Sequence, residues 1–183
     1  SPAEADRGGA AGTRPARKGG AAGETLPALF EQQATRTPAA IAVRGDDEAL
    51  TYAELDARAN RLAWRLRQIN QGPGTVVGVA HDGTVGAAVA LLAVLKAGAA
   101  YLPLDPAEAV ARRNEWLRDS GAGALLTPDG NGAEAAGGWI EMAWRDTPPG
   151  EAVNRAMTDA DRTRIRRSDD LAGVIYREGP AGR

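Results

Sequence analysis

Two spacings of apolar residues alternate along this chain, one suited to helices and one to strands. Leu26, Leu29, Phe30 and Gln33 fall at helical spacing, and Pro38 stops that helix before a short extended run at 41–44. Gly45 to Asp47 make a turn, and residues 49–52 return as a paired strand. Thr51 with Glu54 reads as a capping box that opens a helix through Gln68, whose buried face takes Leu55, Ala59, Leu62 and Leu66. Gly72, Pro73 and Gly74 break this helix.

Residues 76–80 are an apolar run of the kind seen in strands buried on both faces, which belong in parallel sheets. The helix expected at 85–97 is apolar nearly all round, with Lys96 closing the run and Gly98 as a left-handed stop. A strand follows at 100–104. Asp105-Pro106 then suits the start of a helix reaching about Asp119, Gly121 ends it, and 124–127 is a further strand. Such repeated crossovers predict an α/β fold, a mostly parallel sheet flanked by helices. By composition, 128–138 and 145–150 are loops, and 171–176 is a final buried strand.

Composition changes the picture at the start of the chain. Residues 1–24, mostly Ala, Gly, Pro and Arg, cannot bury enough surface to order themselves and read as a flexible linker, leaving 25–183 as the folded part. They lack the unbroken apolar core of a signal peptide. The most apolar stretch, 85–95, is about half of the ~20 residues that a membrane span requires. With no cysteine there is no disulfide framework, thiolate nucleophile or Cys-based zinc site, which fits a cytoplasmic protein. A net charge of −2 supplies no basic field for nucleic acid or an anionic membrane. Arg162, Arg164, Arg166 and Arg167 stand among Asp159, Asp161, Asp169 and Asp170, so that segment reads as a solvated surface.

Two motifs carry a family resemblance. Leu50-Thr51-Tyr52-Ala53-Glu54-Leu55 is similar to the first core motif of nonribosomal peptide synthetase adenylation domains, members of the adenylate-forming, AMP-binding superfamily. Leu95-Lys96-Ala97-Gly98-Ala99-Ala100-Tyr101-Leu102-Pro103-Leu104-Asp105 closely matches the second, in the same order. The resemblance covers most of 26–183 and implies the N-terminal subdomain of that fold, present as a partial, truncated domain. Neither motif supplies a catalytic group: both are caps, turns and packing residues.

In complete relatives a third motif, a buried strand followed by a Ser-, Thr- and Gly-rich loop and Pro-Lys-Gly, is implied to hold the ATP phosphates. Glycines permit close backbone approach, hydroxyls and amides donate hydrogen bonds, and a lysine offsets charge. Here the strand is followed by Arg177, Glu178, Gly179, Pro180, Ala181, Gly182 and Arg183. Glu178 sets a carboxylate where phosphate oxygens belong, Pro180 removes an amide donor and Ala181 a hydroxyl. Only the glycines of the loop persist. No cofactor is expected, ATP and Mg being features of intact relatives.

No other chemistry stands in for the loop. His81 is the sole histidine, near a strand end, and suits local hydrogen bonding better than proton transfer or metal ligation. Asp46 with Asp47 and Asp169 with Asp170 suit turns. No catalytic residue and no metal site is expected. The resulting expectation is a pseudoenzyme: a noncatalytic spacer or docking platform in peptide natural-product biosynthesis. The alternative is an excised front portion of an active domain that turns ATP and an amino acid into aminoacyl-AMP. The resemblance implies partners among condensation and carrier domains or tailoring enzymes, and also a small MbtH-like helper protein near Ala99, Ala100 and Pro103. Those three residues equally suit plain strand packing.

Overall fold

The computed structural model describes residues 25–46, 48–135, 137–144 and 171–176, with the backbone alone for 131–134. Helix α1 (Leu26–Arg36) begins behind Thr25, whose hydroxyl accepts the Ala28 amide, with Pro27 in the first turn where a missing amide is harmless. Of the helically spaced residues, Phe30 packs on the core, while Leu26 and Leu29 are 63% and 46% exposed.

Strands β1 (Ile41–Arg44) and β2 (Ala49–Thr51) pair antiparallel. The structure gives Tyr52 to helix α2 (Tyr52–Gln68) rather than to the strand, because Thr51 is the cap. Its hydroxyl accepts the Glu54 amide at 3.3 Å, and the Glu54 carboxylate accepts the Thr51 amide at 2.9 Å. The backbone hydrogen bond, aided by the Thr51 hydroxyl, holds the Glu54 carboxyl below its ordinary range. Leu55, Ala59, Leu62 and Leu66 are all buried, as their spacing requires. The helix ends before the Gly-Pro-Gly turn, with Asn70 in the left-handed region at φ 60°.

The remaining elements alternate: β3 (Val76–Ala80), α3 (Val85–Ala97), β4 (Ala100–Leu104), α4 (Val110–Asp119), β5 (Ala122–Thr127), β6 (Asn131–Glu134) and β7 (Ile140–Ala143). They build one sheet in the order β4-β3-β5-β7-β6, parallel except for β6, which runs antiparallel to β7. The expected α/β architecture, a mostly parallel sheet flanked by helices, is therefore present. One face, with Val77, Val79, Ala124, Leu126 and Met142, packs on α2 and α3. The other, with Leu102, Leu104 and Leu125, packs on Leu117 of α4. Gly78 faces α4, and a Cβ there would stand 2.7 Å from Leu117 Cδ2, so glycine lets helix and sheet close together.

Four expectations are corrected. Helix α4 does not start at Asp105-Pro106: the Asp105 carboxylate accepts the Ala107 amide at 2.8 Å and folds a local turn, so the helix begins at Val110 without a side-chain cap. The run 128–138, expected as loop, contains β6, because backbone pairing to β7 overrides a composition poor in strand formers. Residues 139–144, to which the pattern assigned nothing, supply β7. The segment 171–176 is not a buried strand: it touches the sheet through a single parallel bridge, Tyr101 to Gly173, and leaves Leu171 and Ile175 60% and 65% exposed. Tyr101 gives its amide to the Ala172 carbonyl at 3.0 Å and accepts the Val174 amide at 2.9 Å. The next donor on that edge of β4 belongs to Pro103, which has no N–H, so the ladder stops there.

Lys96 departs furthest from its sequence reading. It closes the apolar run of α3 yet is fully buried, its Nζ 2.6 Å from Glu31 Oε1 of α1 and 2.9 Å from Asp56 Oδ1 of α2. The Asp56 contact lies off the line of a hydrogen bond, leaving that oxygen without a donor, so it acts by charge alone. The Phe30 ring lies 5.9 Å from the ammonium. Among the described residues no helix is long and apolar enough to cross a membrane. Removing both carboxylates with Glu31→Gln and Asp56→Asn strands a buried cation, and urea unfolding is expected to show a loss of about 3–5 kcal/mol. Adding Lys96→Met should recover most of that loss; a triple variant no more stable than the double would show that charge is not what the cluster balances.

Candidate functional site

Parallel α/β sheets place ligands at the carboxyl ends of their strands, where the strand order reverses. Here the β3-to-β4 crossover runs one way, the β4-to-β5 crossover returns past β3, and the reversal lies between β3 and β5. Along this edge stand His81 and Asp82 after β3, Asp105 after β4, and Asp129 after β5.

Most of these groups shape turns. His81 gives its backbone amide to the Leu104 carbonyl at 2.8 Å and holds an exposed side chain. Asp82 Oδ1 accepts the Thr84 amide at 3.0 Å and the Thr84 hydroxyl at 2.7 Å, and Thr84 in turn caps α3. With Asp105 folding its own turn, neither carboxylate is poised against a nucleophile. Among the described residues, no group of three or more His, Cys, Asp or Glu side chains could hold a metal ion.

The phosphate-loop positions Arg177, Glu178, Gly179, Pro180, Ala181 and Gly182 lie outside the described residues. The approach to them does not. Segment 171–176 runs parallel to β4, so the chain at Tyr176 heads for the carboxyl edge of the sheet. The Tyr176 hydroxyl donates to Asp119 Oδ2 at the end of α4. The Tyr176 ring stacks on Trp116 with centroids 5.6 Å apart and planes 14° from parallel. Arg112 sits over the far part of this column, 5.9 Å from the Trp116 ring. Burial, and after it the carboxylate of Asp119, pushes the Tyr176 phenol up to about 12.

Ala99 and Ala100 are buried, and Pro103 is half-buried within β4 opposite Val79. All three pack within the fold, the two alanines closed off from solvent and Pro103 with part of its ring open. Sequence reasoning missed Asp119 and Trp116, because a residue on α4 and one more than fifty positions later share no local pattern. It also missed the buried state of Lys96, although a lysine inside an otherwise apolar helix is itself a signal that carboxylate partners exist.

Comparison with known proteins places this geometry. A model of the family "AMP-binding enzyme" matches residues 30–176. Phosphinothricin tripeptide synthetase PhsB of Streptomyces viridochromogenes is 54% identical over 110 residues, 60% of this chain and 9% of that protein. Tyrocidine synthase 3 of Brevibacillus parabrevis is 42% identical over 161 residues, 88% of this chain and 2% of that one. Among solved structures, the nonribosomal peptide synthetase FmoA3, in a form bound to alpha-methyl-L-serine-AMP, superposes with a TM-score of 0.71 at 32% identity, covering 85% of this chain and 17% of that one. The chain thus spans less than a fifth of the length of these relatives.

The raised phenol at Tyr176 has a defined pH sign. The fold favours the protonated phenol, so this contribution is whole below the ordinary value of 10.0 and fades as pH rises through about 12. In an alkaline absorbance titration, one tyrosine is expected to ionise near pH 12, and that component should vanish in Tyr176→Phe. An unchanged titration curve in the variant would assign the late phenol elsewhere.

Proposed function

The chain belongs to the family of AMP-binding enzymes, as part of the adenylation domain of a nonribosomal peptide synthetase, and from that premise we propose that it is a noncatalytic adenylation module. In this reading it serves as a spacer or docking platform in peptide natural-product biosynthesis. The observation that carries the proposal is the chemistry that follows Tyr176. Segment 171–176, parallel to β4 at its bridge to Tyr101, leads into Arg177, Glu178, Gly179, Pro180, Ala181 and Gly182, where a phosphate loop needs hydroxyls and amide donors.

The magnitudes favour loss of anion binding. A carboxylate about 4 Å from a phosphate oxygen opposes it by roughly 1–4 kcal/mol per pair of unit charges near a protein surface. Each buried donor or acceptor left unpaired adds about 1–3 kcal/mol. Arg177 and Arg183 offer charge to set against Glu178, but neither restores the amide absent at Pro180. The helices and strands need none of this chemistry, since caps and burial hold them.

As a platform, the module would contact neighbouring condensation or carrier domains, a tailoring enzyme or an MbtH-like helper protein. The buried state of Ala99 and Ala100 means that a helper would meet Pro103 and the surface around β4 rather than the two alanine side chains.

Two measurements test the reading. The chain is expected to show no amino-acid-dependent exchange of pyrophosphate into ATP, and measurable exchange would instead support a working amino-acid-activating unit. In a polypeptide that carries a whole adenylation domain with this loop, Arg177→Thr, Glu178→Ser, Pro180→Ser and Ala181→Thr together should raise ATP affinity at least tenfold, about 1.4 kcal/mol. No gain would remove the loop as the cause of inactivity.

A further inference from the structure

Segment 171–176 is attached to the sheet differently from every other strand in it. β3 is flanked by parallel partners on both sides, β4 along Val76 to Ala80 and β5 along Val76 to Val79. Among the described residues the segment makes two backbone hydrogen bonds to the sheet, both to Tyr101, and Pro103 removes the donor that would extend them. Leu171 and Ile175 face solvent, while Val174 and Tyr176 pack part-buried against the side of the sheet covered by α4. Gly173 allows the close approach, since a Cβ there would stand 2.8 Å from the Tyr101 ring.

With so little apolar burial, the holding contacts are at the far end. The Tyr176 hydroxyl donates to Asp119, and its ring lies on Trp116. Asp119 is the last residue of α4, where the carbonyl end of the helix makes a carboxylate unwelcome. A phenol donor offsets part of that repulsion, so the contact favours both elements. Arg112, which also meets Glu108 at 3.6 Å, keeps positive charge beside the Trp116 ring.

We propose that residues 171–176 form a detachable edge strand that opens independently of the sheet, with the contacts of Tyr176 to Asp119 and Trp116 as its latch. Closed, the segment lies against β4 at Tyr101. Open, it frees the Tyr101 amide and carbonyl and releases the residue that precedes Arg177. Latch and loop are adjacent in sequence, so whatever binds the loop better in one state shifts the latch by that difference in affinity, and the reverse holds equally. This device does not depend on whether the loop binds phosphate.

The test is native-state amide exchange, followed by NMR on the full 183-residue chain at neutral pH, comparing wild type with Tyr176→Phe and Asp119→Ala. Tyr176→Phe keeps the stacked ring and removes only the donor. Loss of a hydrogen bond to a charged group should speed exchange at the Tyr101 and Val174 amides about tenfold or more in both variants. Exchange in β3 and β5 should be unchanged. Unaltered exchange at both amides would overturn the latch, and equal acceleration across β3 and β5 would overturn independent opening.

Discussion

A lysine ammonium with no access to water ties the helical layer together. Lys96 lies on α3, and its two carboxylates come from α1 and α2, so one charge fixes three helices. Burying a cation is tolerable only when opposite charge meets it, which leaves α1 and α2 little freedom to sit elsewhere. The constraint matters most for α1, whose only buried residue is Pro27 and whose Leu26 and Leu29 face outward. Apolar burial alone specifies its seat weakly. The pairing of Glu31 with Lys96, and of Phe30 with the same ammonium and with Tyr52, specifies it well.

Beneath that layer the sheet is governed by pairing at its edges. α3 and α4 cover opposite faces because successive crossovers move in opposite directions along the sheet, and right-handed connections then require it. The two edges are finished differently. On one side β6 turns back antiparallel to β7; on the other, Pro103 limits what β4 can accept, and segment 171–176 rests there on Tyr101. An edge that pairs sparingly discourages further strands, as exposed edges must if chains are not to associate through them.

The described residues carry the capping box at Thr51, the left-handed Gly98 and the parallel β3-α3-β4 unit, all within the stretch that matches the family. What differs is the residue chemistry just past Tyr176 in the sequence, from Arg177 to Gly182. Burial and caps hold the described fold, and they depend on residues other than those of a phosphate loop.

By itself the sequence determined the elements that rest on local rules. The helix cap at Thr51, the left-handed stop at Gly98 and the apolar run of β3 are each written within a few residues, and so is the substituted sequence from Arg177 to Gly182. Only the tertiary structure decided what depends on distant partners. It turned Asp105 into a turn-former instead of a helix start, drew a Gly- and Asn-containing run into β6 through β7, and left 171–176 at an exposed edge because Pro103 faces it. It also buried Lys96 between two carboxylates and brought Tyr176 onto Asp119. Periodicity reports which face of an element is apolar, whereas hydrogen bonds and ion pairs between remote residues exist only once the chain has closed on itself.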